Sequence, residues 1–131
     1  MTEPTWLAKS ALLKLHAVSL ARYGGPPGLR DEGLLESALA RPLNLHAYSG
    51  ENDRARLAAA YAYGLAKNHP FVDGNKRAAL AAALTFLDRN GYGVQASSIE
   101  LAEAVLTLAA SSGEAGELAF ADWLRPRLAR Y

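Results

Sequence analysis

The segment that most constrains the architecture is residues 57–84, LAAAYAYGLAKNHPFVDGNKRAALAAAL. Residues 57–66 are apolar on nearly every side of a helix, and residues 78–84 repeat this composition, which is typical of buried rather than surface helices. We therefore expect two central helices, one from Asp53 to about Asn68 and one from Lys76 to Asn90. The loop between them contains most of the polar residues of the segment.

Helical periodicity continues on the N-terminal side of this pair. Residues 6–22 have apolar positions suited to a core-facing helix, and the Gly and Pro residues at 24–28 end it. Asp31 suits the N-cap of a short helix that runs from Glu32 to about Ala40. Pro42 marks its exit, and residues 42–50 are predicted to form an exposed flap or short hairpin without helical structure.

On the C-terminal side, residues 92–96 are predicted to be a short extended link. Ser97 and Glu100 form a capping box that opens a helix to about Ala110, and a last helix begins near Gly116. The predicted fold class is all-α, a compact bundle of about six helices in a single domain spanning residues 1–131.

Composition and charge exclude several classes of protein. The chain has 14 Lys and Arg against 13 Asp and Glu, and this balance does not predict direct nucleic-acid binding. It has no cysteine, so disulfides and thiolate metal sites are excluded. No secretory signal and no apolar run of bilayer length is visible, so we expect a cytoplasmic protein without membrane association.

The loop at residues 69–77 combines residue types that suit phosphate chemistry. Gly74 allows successive backbone N–H groups to face one concavity, and the following helix start adds its positive dipole end. Lys76 and Arg77 add positive charge there, and Asn75 can cap the helix or donate to a phosphate oxygen. Asp73 offers a hard oxygen ligand for Mg²⁺, and the imidazole of His69 is suited to act as a general base.

Each of these residues also has a simpler explanation. A His before a Pro is usually a loop residue, Asp-Gly-Asn is usually a turn, and a Lys-Arg pair is usually a solvated helix start. We expect Pro70 and Phe71 to anchor the loop to the core. The coincidence of all these features between two buried helices favours a site for phosphoryl or nucleotidyl transfer.

The nine residues His69-Pro70-Phe71-Val72-Asp73-Gly74-Asn75-Lys76-Arg77 resemble the signature of the Fic/Doc family. Lys76 is typical of its Doc (death-on-curing) branch, whose members are toxins of type II toxin–antitoxin systems. Residues 28–31 and 33–42 are also similar to Doc-type toxins. The resemblance covers roughly residues 10–125.

The resemblance implies a Fic fold and a role for each loop position. His69 takes the place of the base that removes the proton from a target hydroxyl, and Asp73 takes the place of the Mg²⁺ ligand. Gly74, Asn75 and Arg77 match residues that hold nucleotide phosphates, and Lys76 is assigned with them. The flap residues Leu45, His46 and Tyr48 are then candidates for gripping the backbone of a target protein.

Two positions separate the possible reactions. Fic proteins that transfer AMP place Gly at the position of Lys76 and a second Arg at the position of Leu80. Doc-type members share the departures seen here and are associated with transfer of the terminal phosphate of ATP to elongation factor Tu. The resemblance therefore favours a kinase with ATP as co-substrate and Mg²⁺ as cofactor, with AMP transfer by the same site as the alternative.

The expected regulation is by a separate protein. The chain contains no Ser/Thr-x-x-x-Glu-Gly/Asn segment, which is the pattern of the inhibitory helix in self-restrained Fic proteins. The resemblance thus implies a cognate antitoxin bound in trans. A second alternative is a catalytically silent module that only binds this antitoxin.

Two further expectations concern residues outside the loop. His16 is expected to serve packing or to lie on the surface, and not to act as a ligand. Arg54 and Arg56 are expected to be solvated charges.

Overall fold

Six helices form almost all of the architecture, and the prediction of an all-α fold is confirmed. The computed structural model describes residues 3–131. The helices, in chain order, are α1 (Lys9–Tyr23), α2 (Glu32–Ser49), α3 (Arg54–Asn68), α4 (Asn75–Arg89), α5 (Ser98–Ala110) and α6 (Glu114–Leu124). Within this described part of the chain, none of the helices is long and apolar enough to cross a membrane.

The core is built around α3 and α4. Eleven of the fifteen residues of α3 are buried, as its apolar composition predicts. Gly64 of α3 lies directly against α2, because a Cβ atom built on it would be 3.0 Å from the Cα atom of Ala38. The small residues therefore allow α2 and α3 to pack closely. This packing holds α3, the helix that leads into the 69–77 loop, in position.

The helix boundaries follow from local signals. The side chain of Asp31 accepts a hydrogen bond from the backbone N–H of Leu34 and caps α2. Ser97 and Glu100 form the predicted capping box at the start of α5. Both predictions are confirmed.

The prediction of a non-helical flap at residues 42–50 is wrong. Residues 42–49 form the last two turns of α2, which ends at Gly50 in the left-handed conformation. Pro42 lies inside this helix with its ring buried. A proline removes one backbone donor and disfavours the helix interior, but the buried ring and the caps at Asp31 and Gly50 offset that effect.

The predicted extended link at residues 92–96 contains a strand, β1 (Tyr92–Val94). It pairs antiparallel with β2 (Leu128–Arg130), with Gly93 opposite Ala129. A turn of 3₁₀ helix at Arg125–Arg127 connects α6 to β2. This small sheet fastens the C-terminal end of the described chain beside the end of α4.

The expectation that Arg56 is a solvated charge is also wrong. Arg56 is only 8% exposed, and its guanidinium lies 2.9 Å from the carboxylate of Glu117, which is fully buried on α6. Arg41 of α2 donates two hydrogen bonds to the same carboxylate, at 2.5 and 2.8 Å. A buried carboxylate is costly unless it is paired, so these two arginines explain how Glu117 is accommodated.

Candidate active site

His69 is the C-cap of α3 and has the left-handed backbone conformation, with φ of 50° and ψ of 55°. It is the one residue other than glycine with positive φ in residues 3–131. Its backbone N–H donates to the carbonyl oxygen of Leu65 at 3.3 Å, and the residue as a whole is exposed. This conformation is unfavourable for a side chain with a Cβ, so surrounding contacts must hold it.

The residues that follow His69 enter the core. Pro70 and Phe71 are buried, and the Phe71 ring stacks on the imidazole of His16 with centroids 3.7 Å apart and planes at 10°. Asn75 closes the loop, since its side chain accepts from the backbone N–H of Phe71 at 2.9 Å and donates to the Phe71 carbonyl at 3.0 Å. The Asn75 side chain therefore ties the start of α4 to the buried part of the loop.

The N-terminus of α4 is open. Gly74 is its N-cap, has φ of 79°, and supplies no side chain to bind the first backbone N–H groups. Arg77 lies beside this end, where it donates to the carbonyl oxygen of Gly24 at 3.1 Å and sits 5.4 Å above the ring of Tyr23. Its Nε atom is buried without a hydrogen-bond partner in the described chain, whereas Lys76 is exposed. Unpaired donors at a helix N-terminus are the surroundings that an anion requires.

Asp73 is exposed next to this helix start. Its Oδ1 atom accepts from the Gly74 backbone N–H at 2.8 Å, and its carbonyl oxygen lies 2.7 Å from Nε2 of His16. A Cβ atom built on Gly25 would be 2.5 Å from Oδ2 of Asp73. The carboxylate therefore accepts a hydrogen bond from the Gly74 amide and lies close to Gly25, where a side chain would collide with it.

A second stretch, residues 24–31, supports the loop, and we call it the clamp segment. Leu29 pairs with Phe71 in an isolated β-bridge, and the Val72 N–H donates to the Gly28 carbonyl at 3.1 Å. The Pro70 carbonyl accepts from the backbone N–H groups of Arg30 and Asp31, at 2.7 and 3.0 Å. Sequence reasoning noted residues 28–31 but assigned them no function. The cluster of glycines at 24, 25 and 28 was the available signal of a close backbone approach.

The three residues predicted to lie in a flap, Leu45, His46 and Tyr48, are not part of the candidate site around the 69–77 loop. They lie in the C-terminal turns of α2, where Leu45 packs against the core and Tyr48 is 85% exposed. His46 Nδ1 lies 2.7 Å from the Glu51 carbonyl oxygen, and Nε2 lies 2.9 Å from the Glu3 carboxylate. Hydrogen bonding to that carbonyl and then to Glu3 raises the pKa of His46.

A groove of about 430 Å³ lies elsewhere, between α5 and α6. Its lining is mainly apolar, with Phe120 and Trp123 on one side and Glu100 and Glu103 on the other. It contains no residue of the 69–77 loop. The candidate site is thus an exposed loop identified by its polar residues, and it does not lie in this groove.

Comparison with known proteins identifies the family of the chain. A model of the Fic/DOC family matches residues 6–87, which is more than half of the chain and includes the whole loop. The chain belongs to the Fic/Doc family. It is 40% identical over 119 residues to the protein kinase Doc of Escherichia phage P1, covering 91% of this chain and 92% of that protein. It is also 49% identical over 81 residues to the toxin Doc of Mycolicibacterium smegmatis, covering 59% of each chain.

Proposed function

We propose that this protein is a Doc-type toxin, a kinase that transfers the terminal phosphate of ATP to a Thr or Ser hydroxyl of a translation factor. Elongation factor Tu is the proposed target, and its modification would inhibit protein synthesis in the cytoplasm. The observation that carries the proposal is the convergence of His69, Asp73 and the open N-terminus of α4 on one loop. The identity to a Doc kinase over most of both chains supports it.

The residues present fit a nucleotide phosphate. The first turn of α4 has no side-chain cap, and the buried Nε of Arg77 has no partner within residues 3–131. A buried donor that is left unpaired destabilises the protein by about 1–3 kcal/mol, and a phosphate that drew the Arg77 side chain towards it would remove that penalty. Lys76 is exposed beside it and adds a mobile positive charge.

The same loop fits Mg²⁺ in its phosphate-bound form. In residues 3–131, no group of three or more His, Cys, Asp or Glu side chains is placed to hold a metal ion. Magnesium in phosphoryl-transfer sites commonly uses one or two carboxylates together with waters and substrate phosphates, so Asp73 alone suffices as the protein ligand. Bound there, Mg²⁺ would neutralise charge on the transferring phosphate.

In the proposed reaction, His69 removes the proton from the acceptor hydroxyl as that oxygen bonds to the γ-phosphorus of ATP. The bond between this phosphorus and the bridging oxygen breaks, and ADP leaves with the electron pair. Arg77, Lys76 and the amides at the start of α4 stabilise the negative charge on the phosphates. The His69 side chain is suited to this step because it is exposed to a protein substrate while its backbone is fixed.

The proposed partners are two proteins. One is the target, and the other is a cognate antitoxin that binds in trans. We propose no direct nucleic-acid binding and no membrane association, since the chain has a net charge of only +1.

The proposal is tested by incubating the purified protein with a bacterial lysate and either γ-labelled or α-labelled ATP. Kinase activity labels a protein from γ-labelled ATP only, and His69→Ala reduces this labelling by about 10²–10⁴-fold. Labelling from α-labelled ATP would instead identify an AMP transferase. Growth arrest that survives His69→Ala, with no labelling from either nucleotide, would identify a silent binding module.

A further inference from the structure

We infer that Arg30 is a positioning residue for the reaction, acting through the backbone of His69. Its Nε–H donates to the carbonyl oxygen of His69 at 2.7 Å, and an Nη2–H donates to the carbonyl oxygen of Asn68 at 2.8 Å. One guanidinium therefore binds the last two carbonyl groups at the C-terminal end of α3. This inference rests on the proposed function of His69.

These carbonyl groups need such a partner. The last carbonyl groups of a helix receive no hydrogen bond from an N–H group of the same helix. The negative end of the helix dipole also favours a cation there. Arg30 is suited to this position because its planar fork donates two hydrogen bonds in a fixed geometry. A lysine at the same position has a single nitrogen on a flexible stem.

The placement matters because of the backbone conformation of His69. A left-handed residue with a Cβ reverts to a more favourable conformation when its neighbours no longer hold it. That change would alter the direction in which the His69 side chain leaves the backbone. Arg30 holds the residue on its carbonyl side, while the Leu65 carbonyl holds its N–H.

Arg30 also ties the loop to the clamp segment. Its own backbone N–H donates to the Pro70 carbonyl at 2.7 Å, so its side chain and main chain contact three successive carbonyl groups, those of residues 68, 69 and 70. Arg30 is nonetheless exposed and lies outside the hydrophobic core. Its contacts fix the direction of the chain at His69 and do not build the core.

The test compares Arg30→Ala and Arg30→Lys with Arg89→Ala, a matched control in which another exposed helix-end arginine is removed. Initial rates of labelling of lysate protein from γ-labelled ATP are measured over a range of ATP concentrations. Exchange of the His69 amide hydrogen with solvent is followed by NMR in the protein alone. Added guanidinium ion is supplied to Arg30→Ala as a chemical substitute for the lost group.

We expect Arg30→Ala to lower the maximal rate about tenfold and to speed exchange at His69 about tenfold, as the loss of charge-assisted hydrogen bonds predicts. The KM for ATP stays near that of the wild type, guanidinium ion restores part of the rate, and Arg30→Lys is intermediate. Arg89→Ala matches the wild type in both measurements.

Unchanged exchange and an unchanged rate in Arg30→Ala would overturn the inference. A rise in the KM for ATP with no fall in the maximal rate would also overturn it, because Arg30 would then contact the nucleotide. If the wild type labels no protein, the proposed function fails, and the exchange measurement alone decides whether Arg30 holds His69. Arg30→Lys serves for the same comparison if Arg30→Ala does not fold.

Discussion

The Nε2 atom of His16 lies 2.7 Å from the carbonyl oxygen of Asp73, which joins the middle of α1 to the loop that carries the proposed chemistry. Because a carbonyl oxygen only accepts hydrogen bonds, Nε2 must carry the proton. The same imidazole stacks on Phe71, so His16 contacts both the buried Phe71 and the exposed Asp73 of the loop. Helix α1 thus helps to fix the position of Asp73.

We expect His16→Ala to destabilise the protein by about 2–4 kcal/mol, through loss of the ring contact and of the hydrogen bond to Asp73. Chemical denaturation measures this change. His16→Phe is the matched variant, because it keeps a ring against Phe71 and removes only the hydrogen bond. It should cost about 1 kcal/mol. Wild-type stability in His16→Ala would show that the contact is incidental.

Gly25→Ala tests the contact between the clamp segment and Asp73. The new methyl group would lie 2.5 Å from Oδ2, so the carboxylate must move away from its present position. We expect a large loss of Mg²⁺-dependent transfer and a smaller thermal shift on addition of ATP and Mg²⁺.

Gly24→Ala is the control for Gly25→Ala, because Gly24 also has positive φ but a Cβ atom there meets nothing within 4 Å. Both variants introduce backbone strain, and only Gly25→Ala displaces Asp73. Equal activity in the two would show that the Asp73 carboxylate position is unimportant.

The left-handed backbone conformation of His69 leads us to expect that glycine at this position is more stabilising than alanine. Glycine adopts the left-handed conformation without the penalty that a Cβ imposes. His69→Gly should therefore be more stable than His69→Ala by about 1 kcal/mol, and both should be inactive. Thermal or denaturant unfolding of the two variants checks this, and a more stable His69→Ala would argue against the left-handed conformation.

The sequence predicted the elements whose signals are local. The two alanine-rich helices, the Asp31 cap and the capping box at Ser97 each depend on residues within a few positions of one another. The 69–77 loop was recognised in the same way, since its residues are contiguous. What surrounds the loop was not predicted, because Arg30 and Gly25 contact it across about 40 or more residues of chain.

The errors have a common physical origin. Pro42 is a helix breaker by local preference, but burial of its ring within α2 outweighs that preference. Arg56 appeared solvated because nothing near it in sequence is its partner; Glu117 lies on another helix. The extended conformation of residues 92–96 was predicted, but the pairing of Tyr92–Val94 with Leu128–Arg130 was not, because that partner is equally remote in sequence. In all three cases, contacts between residues distant in sequence determined the local structure.

The hydrogen bonds of His46 predict that the stability of the protein depends on pH. The pKa of His46 is raised by its hydrogen bonds to the Glu51 carbonyl and the Glu3 carboxylate, so the folded state favours the charged imidazolium. Its contribution to stability is fully present below the pKa of the unfolded chain and is lost as the pH rises through the higher folded-state value.

Thermal unfolding of the wild type and of His46→Gln, compared between about pH 5.5 and pH 8.5, measures this contribution. The wild type should lose its advantage over His46→Gln as the pH rises across this range. A constant difference between the two proteins would show that the hydrogen bonds to Glu51 and Glu3 do not raise the pKa of His46 in solution.

The reaction proposed for the 69–77 loop is transfer of the γ-phosphoryl group of ATP to a protein hydroxyl. The most direct measurement is the mass of the acceptor protein, purified after incubation with this protein, ATP and Mg²⁺, with His69→Ala as the control. We predict that the acceptor gains the mass of one phosphoryl group on a Thr or Ser residue, and that it gains nothing with His69→Ala. A gain equal to AMP, or a phosphoryl gain that persists with His69→Ala, would contradict the claim.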